Sequence, residues 1–489
     1  MRNRPTSSSL TMRLTFIGRR LAALFSSGRR LITAAAVLHV ALAVGLFWAG
    51  RAQLAPSLID RDGIMASFAF DSYEYQHGAA RLVEVLKQSG VKTWAAEHEP
   101  LHVKLISLEF ALLGRVFGYG TLSAEPLNLC CYLAVVFLVL MLGREVGGPN
   151  VGRLSAAAVA LWPTFLLHTL QLLKDLLFIA LALALVMCVT TWLTRTYSRL
   201  WAVATGALMA VTMLLLLLIR FNFGIVIFAL ALFGFALLVV RQWREGRRLY
   251  WNMFCPLLIL LTIGLLLPAY MTHTSQKFKQ YPADEGGPLK SVASAGVQVP
   301  TSIVYLPRAQ FRERATLTYI ERLNAAADNA ARRIGSMRSR FNAIYPDSGS
   351  ALDRDVELRD MSGLLRYLPR ACEIGFWAPF PNTWVTAGRR VGNAGRLLAG
   401  AETLVIYVCE LLALFAVLRA PRDLAAWLLL SITTFGLIVL GLIVPNVGAL
   451  YRFRYTFWLL LIILGLKGLE SISATTARWF RTQQINRAG

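Results

Sequence analysis

Long apolar runs recur along this chain and constrain its fold more than any other feature of the sequence. Hydrophobic residues make up 56% of the 489 positions, whereas soluble domains have roughly 45–50%. Runs of this kind need a hydrophobic solvent, so the sequence predicts an all-α polytopic membrane protein. Eleven runs are candidates for crossing: Leu31–Gly50, Leu101–Phe117, Leu127–Gly143, Leu154–Leu172, Leu176–Leu193, Trp201–Ile219, Gly224–Val240, Phe254–Tyr270, Thr403–Leu418, Leu424–Val444 and Thr456–Leu466.

Charge placement decides which runs cross the bilayer. Leu101–Phe117 carries Lys104, Glu109 and Arg115, and we predict that it lies half-inserted in the first outer loop instead of crossing. The other ten runs then form about ten transmembrane helices with both termini inside. This arrangement puts four basic loops in the cytoplasm, the pattern of the positive-inside rule. The loops concerned hold Arg144/Arg153, Arg195/Arg199, Arg241–Arg248 and Arg419/Arg422.

The predicted topology divides the chain into segments of different composition. The N-terminal stretch holds seven arginines and no acid, and contains an amphipathic patch, Leu10–Phe25, suited to the inner leaflet. The long outer loop is expected to be irregular over Tyr281–Pro300, helical over Pro307–Phe341, and aromatic and interfacial over Leu365–Pro381. The predicted divisions are 1–30, a basic cytoplasmic terminus; 31–270, a transmembrane core with its first outer loop at 51–126; 271–402, an outer loop region; 403–470, C-terminal transmembrane helices; and 471–489, a cytoplasmic tail.

The net charge of +23 favours contact with anionic membrane lipids. Nucleic acid is not an expected partner, because there is no zinc-finger spacing, no RRM-like motif and no basic helix clearly free of the membrane. The six cysteines form no CxxC motif, and five of them fall in apolar runs. Neither a zinc site nor a disulfide framework is therefore implied.

Two acids, Asp71 and Glu74, follow the first predicted span. They are three residues apart, so on a helix they would share a face. A carboxylate at the membrane edge suits a general base, because partial desolvation raises its pKa toward the working pH. It can also ligate a divalent cation. The alternative is a solvated loop that carries ordinary acids.

The segment His98-Glu99-Pro100-Leu101-His102 matches the letters of the zinc-protease pattern HExxH. That chemistry needs both histidines on one face of a continuous helix. Pro100 works against it, because it favours extended geometry at Glu99 and leaves His98 outside the helix. We expect His98 and His102 to be loop residues at headgroup level, with substrate positioning as the second interpretation.

Other charged residues lie at the outer ends of predicted spans. Lys174 and Asp175 adjoin each other between two apolar runs, where they would pair with each other or with a ligand. Arginine binds phosphate well, which makes Arg220, Arg452 and Arg454 candidates for a phosphate site. Interaction of the same arginines with lipid headgroups is the alternative.

Short motifs follow one another along the chain: Asp71, Glu99-Pro100-Leu101, Phe117-Gly118, Gly143-Arg144, Trp162-Pro163, Lys174-Asp175, Asn446-Val447-Gly448 and Arg452-Phe453-Arg454. In this order they resemble the GT-C superfamily of polyprenyl-phosphate-dependent glycosyltransferases. The chain is most similar to a bacterial branch that includes protein mannosyltransferases and the aminoarabinose transferase of lipid A, with a C-terminal turn typical of exopolysaccharide-associated members. Many relatives place a second acid beside the first and have Pro-Pro where this chain has Glu99-Pro100.

The resemblance implies an inverting glycosyltransferase in the bacterial inner membrane, with a periplasmic active site and a role in polysaccharide biosynthesis. The donor would be a polyprenyl-phosphate-linked sugar and the acceptor a glycan, lipid or protein. By the same analogy Asp71 is the base, Lys174 and Asp175 support the site, and the arginines bind the carrier phosphate. Ser72 and Tyr73 separate Asp71 from Glu74, so both acids stay candidates for the base.

Two other functions are compatible with the sequence. A polysaccharide polymerase or ligase of the O-antigen type would also be polytopic with a large arginine-rich outer loop, but would not need an acid in the first outer loop. A transporter usually has inverted repeats and interrupted helices. The chain shows no internal repeat, which weighs against a transporter.

Overall fold

A computed structural model describes most of the chain and shows an all-α protein. Within the described residues, β pairing is limited to one isolated antiparallel bridge between Ala351 and Asn446. The fold class predicted from the apolar runs is confirmed. The described residues are 27–65, 69, 71–219, 224–246, 249–253, 256–257, 260–261, 264, 319–344, 349–386 and 392–488.

The helices follow one another along the chain, and short 3₁₀ turns at Thr121–Ala124 and Pro381–Thr383 connect some of them. Their bounds are α1 Gly28–Arg51, α2 Asp71–Ala96, α3 Leu101–Phe117, α4 Glu125–Gly147, α5 Pro149–Ala160, α6 Pro163–Thr169, α7 Asp175–Thr194, α8 Arg199–Ile219, α9 Gly224–Glu245, α10 Tyr319–Ile344, α11 Met361–Trp377, α12 Gly392–Arg419, α13 Leu424–Ile443, α14 Val447–Phe453 and α15 Tyr455–Ala488.

Among the described residues, seven helices are long and apolar enough to cross a membrane, so the chain is a multi-pass membrane protein. They are α1, α4 with the 3₁₀ turn before it, α7, α8, α12, α13 and the first part of α15. The predicted run Gly224–Val240 lies within α9, and most of Phe254–Tyr270 lies outside the described residues.

One predicted span is interrupted. The run Leu154–Leu172 is divided into α5 and α6, because Trp162 adopts extended backbone angles before Pro163. Proline has no N–H to donate, and its ring clashes with the carbonyl four residues earlier, which favours a break in the helix at this position. The break sets the direction of α6, which leads to the loop that carries Lys174.

The main apolar core is formed where α4, α7, α13 and α15 meet. Val135, Leu183, Leu428 and Trp458, one from each helix, are almost completely buried. Helices that are apolar on all sides are typical of the interior of a membrane domain. This core fixes the ends of α7 and α15 relative to one another, and the candidate site lies at those ends.

Basic loops that were predicted to share the cytoplasmic side meet at one end of the helix bundle. Arg195, just after α7, pairs with a glutamate in the last turn of α4. The Arg241 guanidinium of α9 donates to the Arg195 carbonyl at 2.8 Å. Lys467 of α15 donates to the carbonyl of Val146 and pairs with Asp423, which precedes α13. The first residue of α7 lies at the opposite end of that helix.

The first outer segment forms two helices that pack on each other through their own apolar cluster. Leu101–Phe117 is helical with the predicted bounds, and this helix, α3, is not among the candidate spans. Leu82 of α2 packs with Phe110 of α3 in the cluster. Glu109 of α3 accepts a hydrogen bond from the Leu127 N–H at 2.6 Å, which ties α3 to the start of α4. The pair therefore has a fixed position against the membrane core.

The long outer segment is also helical where it is described. α10 covers the second part of the predicted helix Pro307–Phe341, and α11 covers most of Leu365–Pro381. α11 lies so close to α13 that a Cβ added to Gly441 would come 2.0 Å from the Ala371 carbonyl oxygen. The guanidinium of Arg338 donates to the Leu442 carbonyl at 3.2 Å. The predicted patch at 10–25, the stretch 281–300 and residues 307–318 lie outside the described residues.

Candidate active site

Asp71 and Arg452 come from opposite ends of the sequence and are in direct contact. Asp71 is the first residue of α2, where the helix dipole favours a negative charge. Arg452 lies in the last turn of α14, and its Nη2 donates to Asp71 Oδ2 at 2.6 Å. The structure thus brings together the predicted base and one of the predicted phosphate-binding arginines, whose roles stay predictions.

Asp175 holds the same guanidinium from a second side. It is the first residue of α7, and its Oδ2 lies 2.9 Å from Arg452 Nε. Lys174, directly before it, lies with Nζ 5.5 Å from the centre of the Tyr75 ring, a cation–π contact to α2. Asp71, Lys174, Asp175 and Arg452 therefore form one charged cluster that joins α2, α7 and α14.

The cluster is largely buried, so removing one partner of its ion pairs costs more than it does on the surface. The side chains of Arg452, Asp71 and Asp175 keep only 12%, 19% and 10% of their exposure. Burial by itself lowers the pKa of Arg452, but the carboxylates of Asp175 and Asp71 outweigh this effect and leave the pKa raised. Arg452 is therefore a permanent cation that two carboxylates partly neutralise.

The short helix α14 is held at its N-terminus by Asn446. The Asn446 Oδ1 accepts hydrogen bonds from the N–H groups of Gly448 and Ala449 at 2.9 and 3.2 Å, a regular N-cap. The hydroxyl of Ser350, from the long outer segment, donates to the same oxygen at 3.2 Å. Asn446 thus positions the helix that carries Arg452.

An apolar cavity begins at the charged cluster and follows α7 into the membrane domain. Its α7 lining extends from Asp175 to Val189, which is about 21 Å at the rise of a helix. Asp175 and Arg452 are the charged residues of the lining, and apolar side chains from α7, α8, α9, α13 and α15 form almost all of the rest. The cavity thus combines a charged end with a long apolar interior.

Arg454 lies apart from this cluster although it is only two residues from Arg452. Its side chain is completely buried, and its two Nη atoms donate to the backbone carbonyls of Ala378 and Ile374, next to the C-terminus of α11. Glu74 is on α2 with Asp71 but is exposed, and no ion pair joins it to another described residue. The structure therefore places Arg454 and Glu74 outside the contacts of Arg452.

The prediction that both histidines of the HExxH-like segment are loop residues holds for His98 and is wrong for His102, because the helix begins at Leu101. His98 is exposed in the loop before α3, whereas His102 is buried on α3 with its ring 4.5 Å from the Tyr75 ring in an edge contact. In the part of the chain that the structure describes, no group of three or more His, Cys, Asp or Glu side chains is arranged to hold a metal ion. Arg220 lies outside the described residues.

Two residues that sequence reasoning missed connect the elements of the site. Gln171 accepts from the Met65 N–H at 2.9 Å and donates to the Gly63 carbonyl at 3.3 Å. It thus ties the loop before α2 to the loop before α7. Glu402 of α12 is buried among polar groups of α6 and α14. An ionisable residue at the edge of an apolar run is a functional signal. By sequence alone, Glu402 is placed only at the end of the outer loop region 271–402.

No family model matches the chain, and neither does any curated protein sequence. Among solved structures, the chain is similar to the crystal structure of ArnT from Cupriavidus metallidurans bound to undecaprenyl phosphate. The likeness covers 89% of this chain and 77% of that one, with 14% sequence identity and a TM-score of 0.32. A likeness at this score says nothing about function, which has to be argued from the residues of the site.

Proposed function

We propose that this protein is a membrane glycosyltransferase of the GT-C type. It transfers a sugar from a polyprenyl-phosphate donor to a lipid, glycan or protein acceptor on the periplasmic side of the bacterial inner membrane. One observation carries the proposal: Arg452 lies at the charged end of a long apolar membrane cavity and contacts the carboxylate of Asp71. A phosphate-binding group, an apolar tail site and a base thus occupy one place.

The cavity fits the chemistry of a lipid-linked donor. An isoprenoid chain is apolar and would lie along the apolar wall that α7 provides between Asp175 and Val189. The phosphate at its end is an anion, and Arg452 offers it the planar fork of donors that suits phosphate oxygens. Lys174 adds a second positive charge near the same end.

The proposed reaction is a single displacement. The Asp71 carboxylate takes the proton of the acceptor hydroxyl, whose oxygen forms a bond to the anomeric carbon and inverts it. The bond between that carbon and the phosphate oxygen breaks, and its electron pair leaves with the polyprenyl phosphate. Arg452 stabilises the charge that develops on the leaving phosphate, which is the usual role of a preorganised cation.

Donor binding would also change the state of the base. In the structure Arg452 is shared between Asp71 and Asp175. A donor phosphate that binds Arg452 competes with both carboxylates for its N–H groups. Asp71 would then lose its ion-pair partner and gain basicity, because an adjacent cation favours the charged form of a carboxylate. The proposal therefore expects the base to become effective once the donor is bound.

A transfer assay tests the proposed function. The purified protein in liposomes is given polyprenyl phosphate loaded in turn with different radiolabelled sugars, together with a bacterial membrane extract as the source of acceptor. We expect label to move from the donor to the acceptor fraction, and Arg452→Met to abolish the movement. Arg359→Met is the matched control, because Arg359 forms an exposed ion pair with Glu357.

The assay also separates the alternative functions. Full activity in Asp71→Asn would favour a polymerase or ligase of the O-antigen type, which does not need an acid in the first outer loop. Counterflow of a sugar or lipid across the liposome membrane without any covalent product would indicate a transporter. Either result would contradict the proposed reaction.

A further inference from the structure

A buried carboxylate outside the charged cluster connects two of the elements that carry it. Glu402 of α12 is only 6% exposed. Its Oε1 accepts the N–H of Thr164 at 2.9 Å, and its Oε2 accepts the hydroxyls of Thr164 and Tyr451. Thr164 is in the first turn of α6, which leads to Asp175, and Tyr451 directly precedes Arg452 in α14. Glu402 thus binds both elements at once.

The polar groups around Glu402 form hydrogen bonds with one another. The Tyr455 hydroxyl donates to Thr164 Oγ1 at 2.7 Å, and the His168 Nδ1–H donates to the Thr164 carbonyl at 2.8 Å. The Tyr451 ring packs edge-on against the rings of Tyr455 and Trp458. The Glu402 oxygens are thus occupied by protein donors, so the carboxylate acts on the protein and not on a ligand.

The position of Arg452 depends on this contact because α14 is short. A helix of seven residues does not hold itself in place, and its orientation must come from contacts at its ends. The Asn446 cap fixes the N-terminus of α14, and the bond from Tyr451 to Glu402 fixes the side next to Arg452. A hydrogen bond to a buried carboxylate is strong and directional. Its loss would let the last turn of α14 rotate.

We propose that Glu402 is a positioning residue that holds Arg452 between Asp71 and Asp175 through Tyr451. The consequence for catalysis rests on the proposed function, in which Arg452 stabilises the leaving phosphate. The positioning itself is a property of the folded protein and can be tested without a substrate.

Two substitutions remove or weaken the contact with little change in shape. Tyr451→Phe deletes one hydroxyl, and Glu402→Gln removes the charge of the carboxylate. We expect each to lower kcat for sugar transfer roughly tenfold to a hundredfold, as a small misplacement of a catalytic group does, and to raise the donor KM, because Arg452 also binds the donor phosphate. Tyr407→Phe and Glu410→Gln are matched controls on α12: the first deletes a hydroxyl that donates to a backbone carbonyl, and the second alters another largely buried glutamate. Both should retain the wild-type kcat.

A double-mutant cycle on stability tests the positioning independently of activity. If Tyr451→Phe lets Arg452 move away from Asp71, then Asp71→Asn should lower the Tm less in that background than in the wild type. The Tm shifts of Tyr407→Phe and Asp71→Asn should simply add. Additive shifts for Tyr451→Phe and Asp71→Asn would overturn the positioning role. An inactive wild-type protein with a non-additive cycle would instead reject the proposed function and leave the positioning role supported.

Discussion

Asp71 and Asp175 bind one guanidinium, so replacing each by asparagine in turn separates structural support from catalysis. Both are the first residue of a helix, both contact Arg452 within 2.9 Å, and both are largely buried. Asp71→Asn and Asp175→Asn remove the same charge from similar surroundings. They should therefore have similar effects on stability and different effects on the rate of sugar transfer.

The expected loss of stability is moderate in both variants. Breaking a buried ion pair so that one charge stays unpaired costs about 3–5 kcal/mol. Here Arg452 keeps one carboxylate in either variant, so only one of its two ion-pair contacts is lost; a hydrogen bond to a charged group, such as the one Asp71 accepts, is worth about 1.5–3 kcal/mol. The loss of a general base lowers the rate about 10²–10⁴-fold, which corresponds to about 3–5 kcal/mol of barrier. A weaker support for Arg452 should lower it only roughly tenfold.

Both quantities can be measured on the same preparations. The free energy of unfolding is compared through Tm in one lipid or detergent, and the initial rate of transfer is measured with saturating donor. We expect similar Tm shifts, with a far larger rate loss in Asp71→Asn than in Asp175→Asn. Equal rate losses at equal Tm would refute the assignment of the base to Asp71, and a larger loss in Asp175→Asn would move that role to Asp175.

Further predictions concern topology, pH, packing and the second arginine. A cysteine at Gln242 should not react with an impermeant reagent from outside, and reaction would reject the ten-helix topology. Burial raises the pKa of Glu109 to about 8, so this group contributes stability that is present below about pH 4.5 and lost as the pH rises through 8. Glu109→Gln should reduce the fall of Tm over that window, and an unchanged fall would contradict the buried environment. Gly441→Ala should cost about 1–3 kcal/mol, whereas Gly45→Ala, with nothing within 4 Å, should cost little; equal costs would contradict the close contact of α11 with α13. Arg454→Lys should lower the Tm, because the guanidinium loses its hydrogen bonds to the backbone carbonyls of Ala378 and Ile374. A change in the donor KM at unchanged Tm would contradict this structural role of Arg454.

Much of the fold follows from local properties of the sequence. The apolar runs at Leu127–Gly143, Leu176–Leu193 and Leu424–Val444 became α4, α7 and α13, since a helix in a membrane satisfies its own backbone and needs no distant partner. The charged residues of Leu101–Phe117 distinguished α3 from the spans, because charges are costly inside a bilayer. Hydropathy did not predict that Pro163 divides the run Leu154–Leu172 into α5 and α6, because hydropathy measures solvent preference and does not report a broken hydrogen-bond pattern.

The candidate site shows where such reasoning stops. The sequence selected Asp71, Asp175 and Arg452 because charges at a membrane edge are costly wherever they occur. It could not separate Arg452 from Arg454, since both have the same local surroundings. Arg454 directly follows α14 and keeps helical backbone angles. A separation of two residues in a helix corresponds to about 200° of rotation at 3.6 residues per turn, so one guanidinium faces the cavity and the other faces α11. The rotational phase of α14 about its own axis decides which arginine faces the cavity and which faces α11. That phase depends on contacts at both ends of the helix, among them the bond from Tyr451 to a glutamate 49 positions away, which no local pattern of residues reveals.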